Sequence, residues 1–494
     1  MPPSSADILL RRGLVFDGSG NPPVVADVAL KGGVIAAVGD LRGLRATQVI
    51  DLDGKAVAPG FIDSHAHDDY ACIRMPDMTA KISQGVTTVV VGNCGLSIAP
   101  LRFPGEVEEP FNLLGDRKAF AYTSFAAYAE AVDAARPAVN VAALVGHTTL
   151  RKICISDLDR PASPDERRAM QNLLADALRA GAAGLSSGVY YAPAQAADLL
   201  ELTALAETVA AHGGIYATHI RSEYDGVAEA LEEAFATTRA ARTPLIISHH
   251  KCAGVHNWGR SAETLALIDG AAKTQPVCMD CYPYTAGSSV LNPDLCDGEI
   301  KVLINSSQTH PDLAGRYLKD VAAEWGVSER EAAMRLQPGY ACYFQIHEDD
   351  MRRIMAHPLC MVGSDGLPND LNPHPRLWGT FPRVLGHYAR EMKLFSMAEA
   401  VAKMTGLTAQ RYGFHDRGRI AAGLAADITV FDPETVADRA TFETPVQISA
   451  GIEEVFVNGV HSWSQGRATA GRGGRFLPGA GVRAEASNLA MSGK

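Results

Sequence analysis

Two histidines one residue apart stand at the end of a short apolar run near the start of the chain. The segment FIDSHAH over residues 61–67 places His65 and His67 at alternate positions. Alternate side chains of a strand point to the same face, and two imidazoles on one face can bind a single metal ion. An isolated HxH pair is also compatible with two polar loop histidines, so its interpretation depends on the rest of the chain.

Four further side chains that can bind a metal lie next to other apolar runs. Cys94 follows TTVVVGN, His219 ends IYATH, His249 ends PLIISH and Asp365 follows CMVG. By itself Cys94 could be a metal ligand, a nucleophile or, more commonly, a small buried hydrophobic side chain. Zinc prefers a mixture of imidazole, thiolate and carboxylate ligands, and a catalytic zinc site keeps one position open for water. Together with the HxH pair, these residues predict a catalytic metal site.

The spacing of these residues predicts the architecture that holds them. About 30 residues separate His65 from Cys94 and His219 from His249, which is the length of one strand and one helix. Eight short apolar runs, most of them followed by a helical pattern, end at Ser64, Gly92, Gly146, Ser187, His219, His249, Cys281 and Asp365. We therefore predict an α/β fold, a (β/α)₈ TIM-like barrel whose chemistry gathers at the carboxyl ends of the strands.

Three helices of this barrel have clear sequence signals. Ser163, Pro164 and Glu166 form a capping-box pattern, an apolar stripe follows, and Gly181 ends the helix. Similar patterns predict helices over residues 199–211 and 227–239. The motif GLSSG at residues 184–188 matches the nucleophile elbow of serine hydrolases, but the barrel supplies neither the strand-turn-helix context nor a triad, so we exclude that chemistry.

β-rich segments flank the barrel at both ends of the chain. Residues 1–60 alternate short strands with glycine turns, and the same character returns near the C-terminus. We predict one small β-sandwich module built from residues 1–60 and 415–482, a catalytic barrel over residues 61–414, and a C-terminal tail over residues 483–494.

An inserted subdomain is predicted between the seventh and eighth barrel strands. About seventy-five residues separate these two runs, which is too many for a simple crossover. We assign residues 285–345 to the insertion and expect it to overhang the active site.

Composition excludes several classes of protein. The 494 residues include 45 basic and 56 acidic side chains, a net charge of −11, which argues against nucleic-acid binding. No signal-peptide core and no apolar stretch of roughly twenty residues is present, so we expect no membrane association. The nine cysteines are scattered singly, which favours reduced thiols and a cytoplasmic protein.

Several motifs together resemble the D-aminoacylases, the N-acyl-D-amino-acid deacylases of the amidohydrolase superfamily, along nearly the whole chain. They read APGFIDSHAHDD, KISQGVTTVVVGNCG, VGHTTLR, GGIYATHIRSE, ISHHK, YPYTAGS, GSDGLPND and HPRLWGTFPRVLGHY. The resemblance implies a barrel with a two-ended β module and one tightly bound Zn²⁺. It assigns the tight site to Cys94, His219 and His249, with the cysteine replacing the carboxylated lysine of many other amidohydrolases. It assigns a possible weaker second site to His65, His67 and Asp365.

The implied activity is zinc-dependent hydrolysis of N-acyl-D-amino acids to a carboxylic acid and a free D-amino acid. Asp365 is placed to take a proton from water and pass it to the leaving amine. The substrate carboxylate needs cations or hydroxyls, for which Lys251 and Arg376 lie on mouth loops and Tyr282 and Tyr190 match substrate-contacting tyrosines of the family.

Two alternatives remain open at this stage. One is an amidohydrolase for another carboxylate-bearing amide, such as a bulky aromatic N-acyl amino acid or an amide-linked toxin. The other is a non-catalytic scaffold, against which the complete ligand set weighs heavily. The expected partner is a small N-acyl amino acid, and self-association into a homo-oligomer is possible on family grounds.

Overall fold

The computed structural model describes residues 5–483, so the tail predicted from residue 483 lies, apart from Arg483, outside the described residues. Its strands form four groups in chain order. The groups are β1 (Ser5–Val15), β2 (Val24–Lys31), β3 (Val34–Gly39), β4 (Arg45–Asp51) and β5 (Ala56–Pro59); β6 (Phe61–Asp63), β7 (Val86–Val91), β8 (Asn140–Gly146), β9 (Gly184–Gly188), β10 (Ile215–His219), β11 (Leu245–Ile247), β12 (Val277–Cys281) and β16 (Cys360–Val362); β13 (Gly287–Val290), β14 (Val302–Ser307) and β15 (Gly339–Tyr343); and β17 (Ile428–Phe431), β18 (Ile452–Val457), β19 (Val460–Ser464) and β20 (Arg467–Ala468).

Helices lie between most of these strands. They are α1 (Ala71–Arg74), α2 (Thr79–Ile82), α3 (Phe125–Ala135), α4 (His147–Cys154), α5 (Pro164–Arg179), α6 (Ala192–Gln195), α7 (Leu199–Ala211), α8 (Val227–Ala241), α9 (Ser261–Ala272), α10 (Leu318–Trp325), α11 (Glu329–Leu336), α12 (Glu348–Ala356), α13 (Arg376–Arg383), α14 (Met397–Met404) and α15 (Gly406–Arg411). Within residues 5–483, no helix combines the length and the apolar composition needed to cross a bilayer.

Eight parallel strands form the predicted barrel. Their order is β16-β12-β11-β10-β9-β8-β7-β6, which is chain order apart from the three strands of the insertion. The two end strands approach each other through a backbone bond from Ser64 N to Val362 O at 3.3 Å and one from Asp365 N to His65 O at 2.7 Å. We refer to this β6–β16 junction as the seam, because regular strand pairing stops there.

The terminal strands form the predicted two-ended module. β1–β5 and β17–β20 belong to one nine-stranded sheet in which β5 pairs with β17. The sheet branches at β1, whose first part, Ser5–Arg11, pairs with β4, whereas Leu14 and Val15 pair with β5 after a bulge. Residue boundaries for this module at 60 and 415 remain our proposed division of the chain.

The insertion is a three-stranded sheet between β12 and β16. The strand order is β13-β15-β14, and α10 and α11 pack on it around a separate apolar cluster that includes Leu318, Val321 and Leu336. The predicted position of the insertion between the seventh and eighth barrel strands is therefore confirmed.

Local sequence signals match the observed elements closely. α5 begins with the capping box of Ser163 and Glu166, α7 has the predicted bounds, and α8 extends two residues beyond the predicted end at Arg239. Two barrel strands are shorter than predicted: β11 ends at Ile247 and β16 at Val362. His249 and Asp365 have φ values of 35° and 49°, which extended backbone cannot accommodate.

Candidate metal centre

Six buried side chains meet at the carboxyl end of the barrel. Their ligand atoms form two groups, each with all atoms within 4.8 Å of one another. The first group, which we call the inner triad, is Cys94, His219 and His249. The second, which we call the seam group, is His65, His67 and Asp365 with the same Cys94. The structure thus brings together all six predicted ligands, with Cys94 shared by both groups.

Most of these residues stand just beyond strand ends, on backbone that leaves the strand sharply. Cys94 has a φ of 54° and, like His249 and Asp365, lies in the left-handed region. Non-glycine residues rarely adopt this conformation, and those that do cluster at functional sites where the surrounding structure holds them. The turns direct three ligands over the barrel mouth.

The loop that carries Cys94 is fixed by its neighbours. Gly95 N donates to Ser186 Oγ at 3.0 Å, and Ser186 Oγ donates to Gly92 O at 2.5 Å. At Gly188 a Cβ would lie 2.0 Å from Cys94 O, so only glycine fits there. Ser186 and Gly188 belong to the GLSSG motif, which is strand β9 itself. The motif supports the metal cluster and is not a nucleophile elbow.

Cys94 is in an environment that favours its thiolate. Its Sγ lies 3.3 Å from His65 Nε2 and 3.3 Å from His249 Nε2. Burial raises the pKa of the Cys94 thiol, but the two imidazoles lower it more, and the net result is a pKa well below the usual value. The thiolate is the form of cysteine that binds metals.

His219 provides the clearest test of whether a metal fits. The residue is buried, yet neither ring nitrogen has a hydrogen-bond partner. Burial lowers the pKa of His219, so the imidazole is neutral and carries a lone pair. Tyr190 and Tyr191 pack against its ring at centroid distances of 5.0 and 5.2 Å. A buried imidazole without a partner, next to a thiolate, fits a zinc ligand.

The seam group already contains internal partners. His67 Nε2 lies 3.1 Å and His65 Nε2 3.5 Å from Asp365 Oδ1. Asp365 Oδ2 lies 2.8 Å from Arg376 Nη1. Burial raises the pKa of Asp365, but Arg376 and the imidazoles lower it well below the usual value. Asp365 is therefore an ionised carboxylate.

Two carboxylates that the sequence analysis missed support the histidines from behind. Asp280 Oδ1 accepts from His249 N at 2.9 Å and lies 3.4 Å from His65 Nδ1. Glu223 Oε1 lies 2.9 Å from His249 Nδ1 and 2.5 Å from Lys251 Nζ. Metal-bound histidines usually have such a partner on the second ring nitrogen. Glu223 follows His219 by four residues in the quoted motif GGIYATHIRSE, which was the available signal.

A cavity of about 500 Å³ opens above the cluster. Lys251, Tyr282 and Tyr190 line it as predicted, together with Tyr191, which was not predicted. Its outer wall comes from the insertion and from the loop after β7, through Gly287, Ser288, Ser289, Val290, Leu291, Asn292, Leu295, Gln337, Tyr343, Glu109, Pro110 and Leu113. The insertion therefore overhangs the site.

Arg376 is placed differently from the other predicted substrate residues. It is fully buried and does not line the cavity. Its guanidinium carbon lies 4.5 Å from the centre of the Tyr282 ring, and Nη2 donates to Ser288 O at 3.3 Å. In this structure its charge is directed at Asp365, behind the cavity wall.

Comparison with known proteins places this geometry in a family. The amidohydrolase family model matches residues 48–310 and 316–462. The D-aminoacylase of Alcaligenes xylosoxydans xylosoxydans is 49% identical over 471 residues, which are 95% of this chain and 97% of that protein. The N-acyl-D-glutamate deacylase of the same organism is 48% identical over 454 residues, 92% of this chain and 93% of that protein.

A solved structure agrees with the fold as a whole. An N-acyl-D-glutamate deacylase from Bordetella bronchiseptica, in complex with zinc and a phosphonate inhibitor that mimics the tetrahedral intermediate, matches with a TM-score of 0.93 and 46% identity. The match covers 96% of this chain and 100% of that chain. The fold, the shared-cysteine cluster and these relatives establish that the chain belongs to the amidohydrolase family and, within it, to the D-aminoacylase group.

Proposed function

We propose that this protein is a zinc-dependent hydrolase of N-acyl-D-amino acids, which releases a carboxylic acid and a free D-amino acid. The observation that carries the proposal is the buried cluster of six ligands around Cys94 at the floor of a substrate-sized cavity. The nearly full-length similarity to D-amino-acid deacylases supports the same reaction.

The inner triad would hold the tight zinc ion, and the seam group would supply a weaker second site. A bound zinc ion polarises a carbonyl and lowers the pKa of water toward about 7. Asp365 then serves as proton acceptor and donor. Its ionised carboxylate lies at the cavity wall and can take a proton from water, and the protonated acid can pass it to the leaving amine. Arg376 orients this carboxylate through its contact with Oδ2.

Lys251 is the best candidate to bind the substrate carboxylate. It lines the cavity, and its Nζ lies 5.7 Å from the centre of the Tyr282 ring. Tyr282 and Tyr190 contribute hydroxyl groups to the same cavity. We keep Arg376 in this pocket as a positioning cation, because its contact with the Tyr282 ring fixes the ring that faces substrate.

The cavity wall favours an apolar amino-acid side chain over an acidic one. Within the described residues 5–483, the lining contains one lysine and no arginine, and it contains three carboxylates, Glu109, Glu223 and Asp365. The remaining surface includes Leu96, Leu113, Val290, Leu291, Leu295 and Leu367. A second substrate carboxylate would therefore lose its hydration without gaining a cation.

Substrate turnover tests this proposal. We expect hydrolysis of N-acetyl-D-methionine, with kcat/KM at least tenfold below that value for N-acetyl-D-glutamate, N-acetyl-D-aspartate and N-acetyl-L-methionine. Turnover of hydantoin alone would contradict the linear-amide assignment. Turnover only of a bulky aromatic N-acyl amino acid would favour the alternative amide. A purified protein that neither contains nor takes up zinc would indicate a non-catalytic scaffold.

The setting of the reaction remains a prediction from composition. All nine cysteines are free thiols in the described structure, which fits a reducing cytoplasm. The substrate is a small molecule. The absence of a nucleic-acid partner and self-association into a homo-oligomer also stay predictions.

A further inference from the structure

His249 uses its two ring nitrogens in different environments. Nε2 faces the cluster, 3.3 Å from Cys94 Sγ. Nδ1 faces away from it and has two neighbours at the same distance, Glu223 Oε1 at 2.9 Å and Lys251 Nζ at 2.9 Å. All three residues are buried. The two neighbours of Nδ1 therefore compete for one ring position.

The competition decides which nitrogen of His249 carries the proton. An ammonium group can only donate a hydrogen bond, and a carboxylate can only accept one. If Nδ1 accepts from Lys251, the proton of the neutral ring is on Nε2, and Nε2 has no lone pair for a metal. If Nδ1 donates to Glu223, the lone pair is on Nε2 and points into the inner triad.

We propose that Glu223 is a positioning residue that selects the metal-binding tautomer of His249 and keeps Lys251 from selecting the other one. Glu223 performs both tasks with one oxygen, because Oε1 also accepts from Lys251 Nζ at 2.5 Å. The ammonium group is thereby bound to the carboxylate and held at the cavity wall. The metal site and the cation that we assign to the substrate carboxylate thus share one partner.

The inference concerns zinc binding first, and only its second consequence rests on the proposed function. Loss of an outer partner of a metal-bound histidine typically lowers metal affinity by about 10- to 100-fold. We expect this loss in Glu223→Ala, in which Lys251 remains the sole neighbour of Nδ1. Glu223→Gln keeps an acceptor oxygen and should lose less.

The decisive experiment is a zinc titration against a chromophoric chelator for Glu223→Ala, Lys251→Met and the double variant. Lys251→Met should bind the first zinc equivalent as tightly as the unmodified protein, because Glu223 remains to orient His249. The double variant should recover a large part of the affinity lost in Glu223→Ala, because the competing donor is gone. Glu232→Ala, on the exposed face of α8, is the matched control and should bind zinc normally.

Three outcomes would overturn the inference: unchanged zinc affinity in Glu223→Ala, an equal loss in Lys251→Met, or a double variant that is weaker than Glu223→Ala. Cobalt substitution gives a second readout, because the thiolate-to-cobalt absorption band reports whether the inner triad is intact. Glu223→Ala should show this band only at higher cobalt concentration.

Kinetics at saturating zinc then tests the link to substrate. Lys251→Met should raise KM for N-acetyl-D-methionine at least tenfold while its zinc affinity is retained. If no amide is hydrolysed by any variant, the proposed function fails, but the order of zinc affinities still decides the role of Glu223.

Discussion

The two halves of the metal cluster share Cys94 but differ in how their other polar atoms are satisfied. In the inner triad, His219 is buried with no hydrogen-bond partner on either ring nitrogen. In the seam group, His67 Nε2 and Asp365 Oδ1 lie 3.1 Å apart, and Arg376 neutralises the same carboxylate. Unpartnered buried polar groups cost free energy, whereas partnered ones do not. An ion is therefore needed to satisfy the inner triad but not the seam group, which is a physical reason for one tight and one weak site.

The two halves also differ in the backbone that carries them. His219 and His249 follow β10 and β11, which pair continuously through three residues of each strand. The seam group bridges β6 and β16, where regular strand pairing ends. Its geometry depends on buried side chains across the seam, above all on Lys81, which contacts Asp63, Asp68 and Ser364.

The largest effect is expected from Cys94→Ala, because this change removes the ligand common to both halves. We expect zinc content close to zero and hydrolysis at the background rate, measured by elemental analysis and by release of D-methionine. Cys278→Ala is the matched control, since Cys278 is a buried cysteine of β12 that contacts Leu245 O outside the cluster. A Cys94→Ala protein with one bound zinc and normal turnover would refute the shared-ligand arrangement.

Asp365→Ala separates the halves. We expect about one equivalent of zinc to remain on the inner triad, while kcat falls by roughly 10²- to 10⁴-fold, the contribution typical of a general acid–base group. Metal analysis and steady-state kinetics on the same preparation check both parts. Asp370→Asn, in the same loop and bonded to Asn305, should keep its kcat. Unchanged kcat in Asp365→Ala would remove the proton-transfer role.

The contrast between the halves shows what a sequence reveals. The ligands could be found because each stands at or just past a strand end, and strand ends follow from local apolar runs and helix caps such as Ser163. The sharp turns at Cys94 and Asp365 leave no such local pattern, so the strands were predicted too long.

Supporting residues were harder to find because their partners are distant in sequence. Lys81 and Ser364 are separated by 283 positions, and Glu223 reaches His249 only through the turn after β10. Arg376 was predicted on a mouth loop, but the fold buries it against Asp365. Such contacts depend on how the barrel closes, and hydrophobic periodicity carries no information about closure.

Lys81→Met tests the seam without touching a ligand. The ammonium group lies 2.8 Å from Asp63 Oδ2, 3.1 Å from Asp68 Oδ2 and 2.8 Å from Ser364 Oγ, and all four residues are buried. Removing it leaves two buried carboxylates without their cation, which typically costs about 3–5 kcal/mol of unfolding free energy. Denaturant unfolding of the zinc-free protein measures this loss.

The same variant discriminates between the halves through metal binding. Lys81 contacts residues next to His65, His67 and Asp365 but none next to the inner triad, so affinity for the first zinc equivalent should stay unchanged while that for the second falls. Lys152→Met removes an exposed ion pair with Glu108 and should cost at most about 1 kcal/mol. If Lys81→Met weakened the first zinc equivalent as much as the second, the two halves would be mechanically one unit, and their different satisfaction would not explain two affinities.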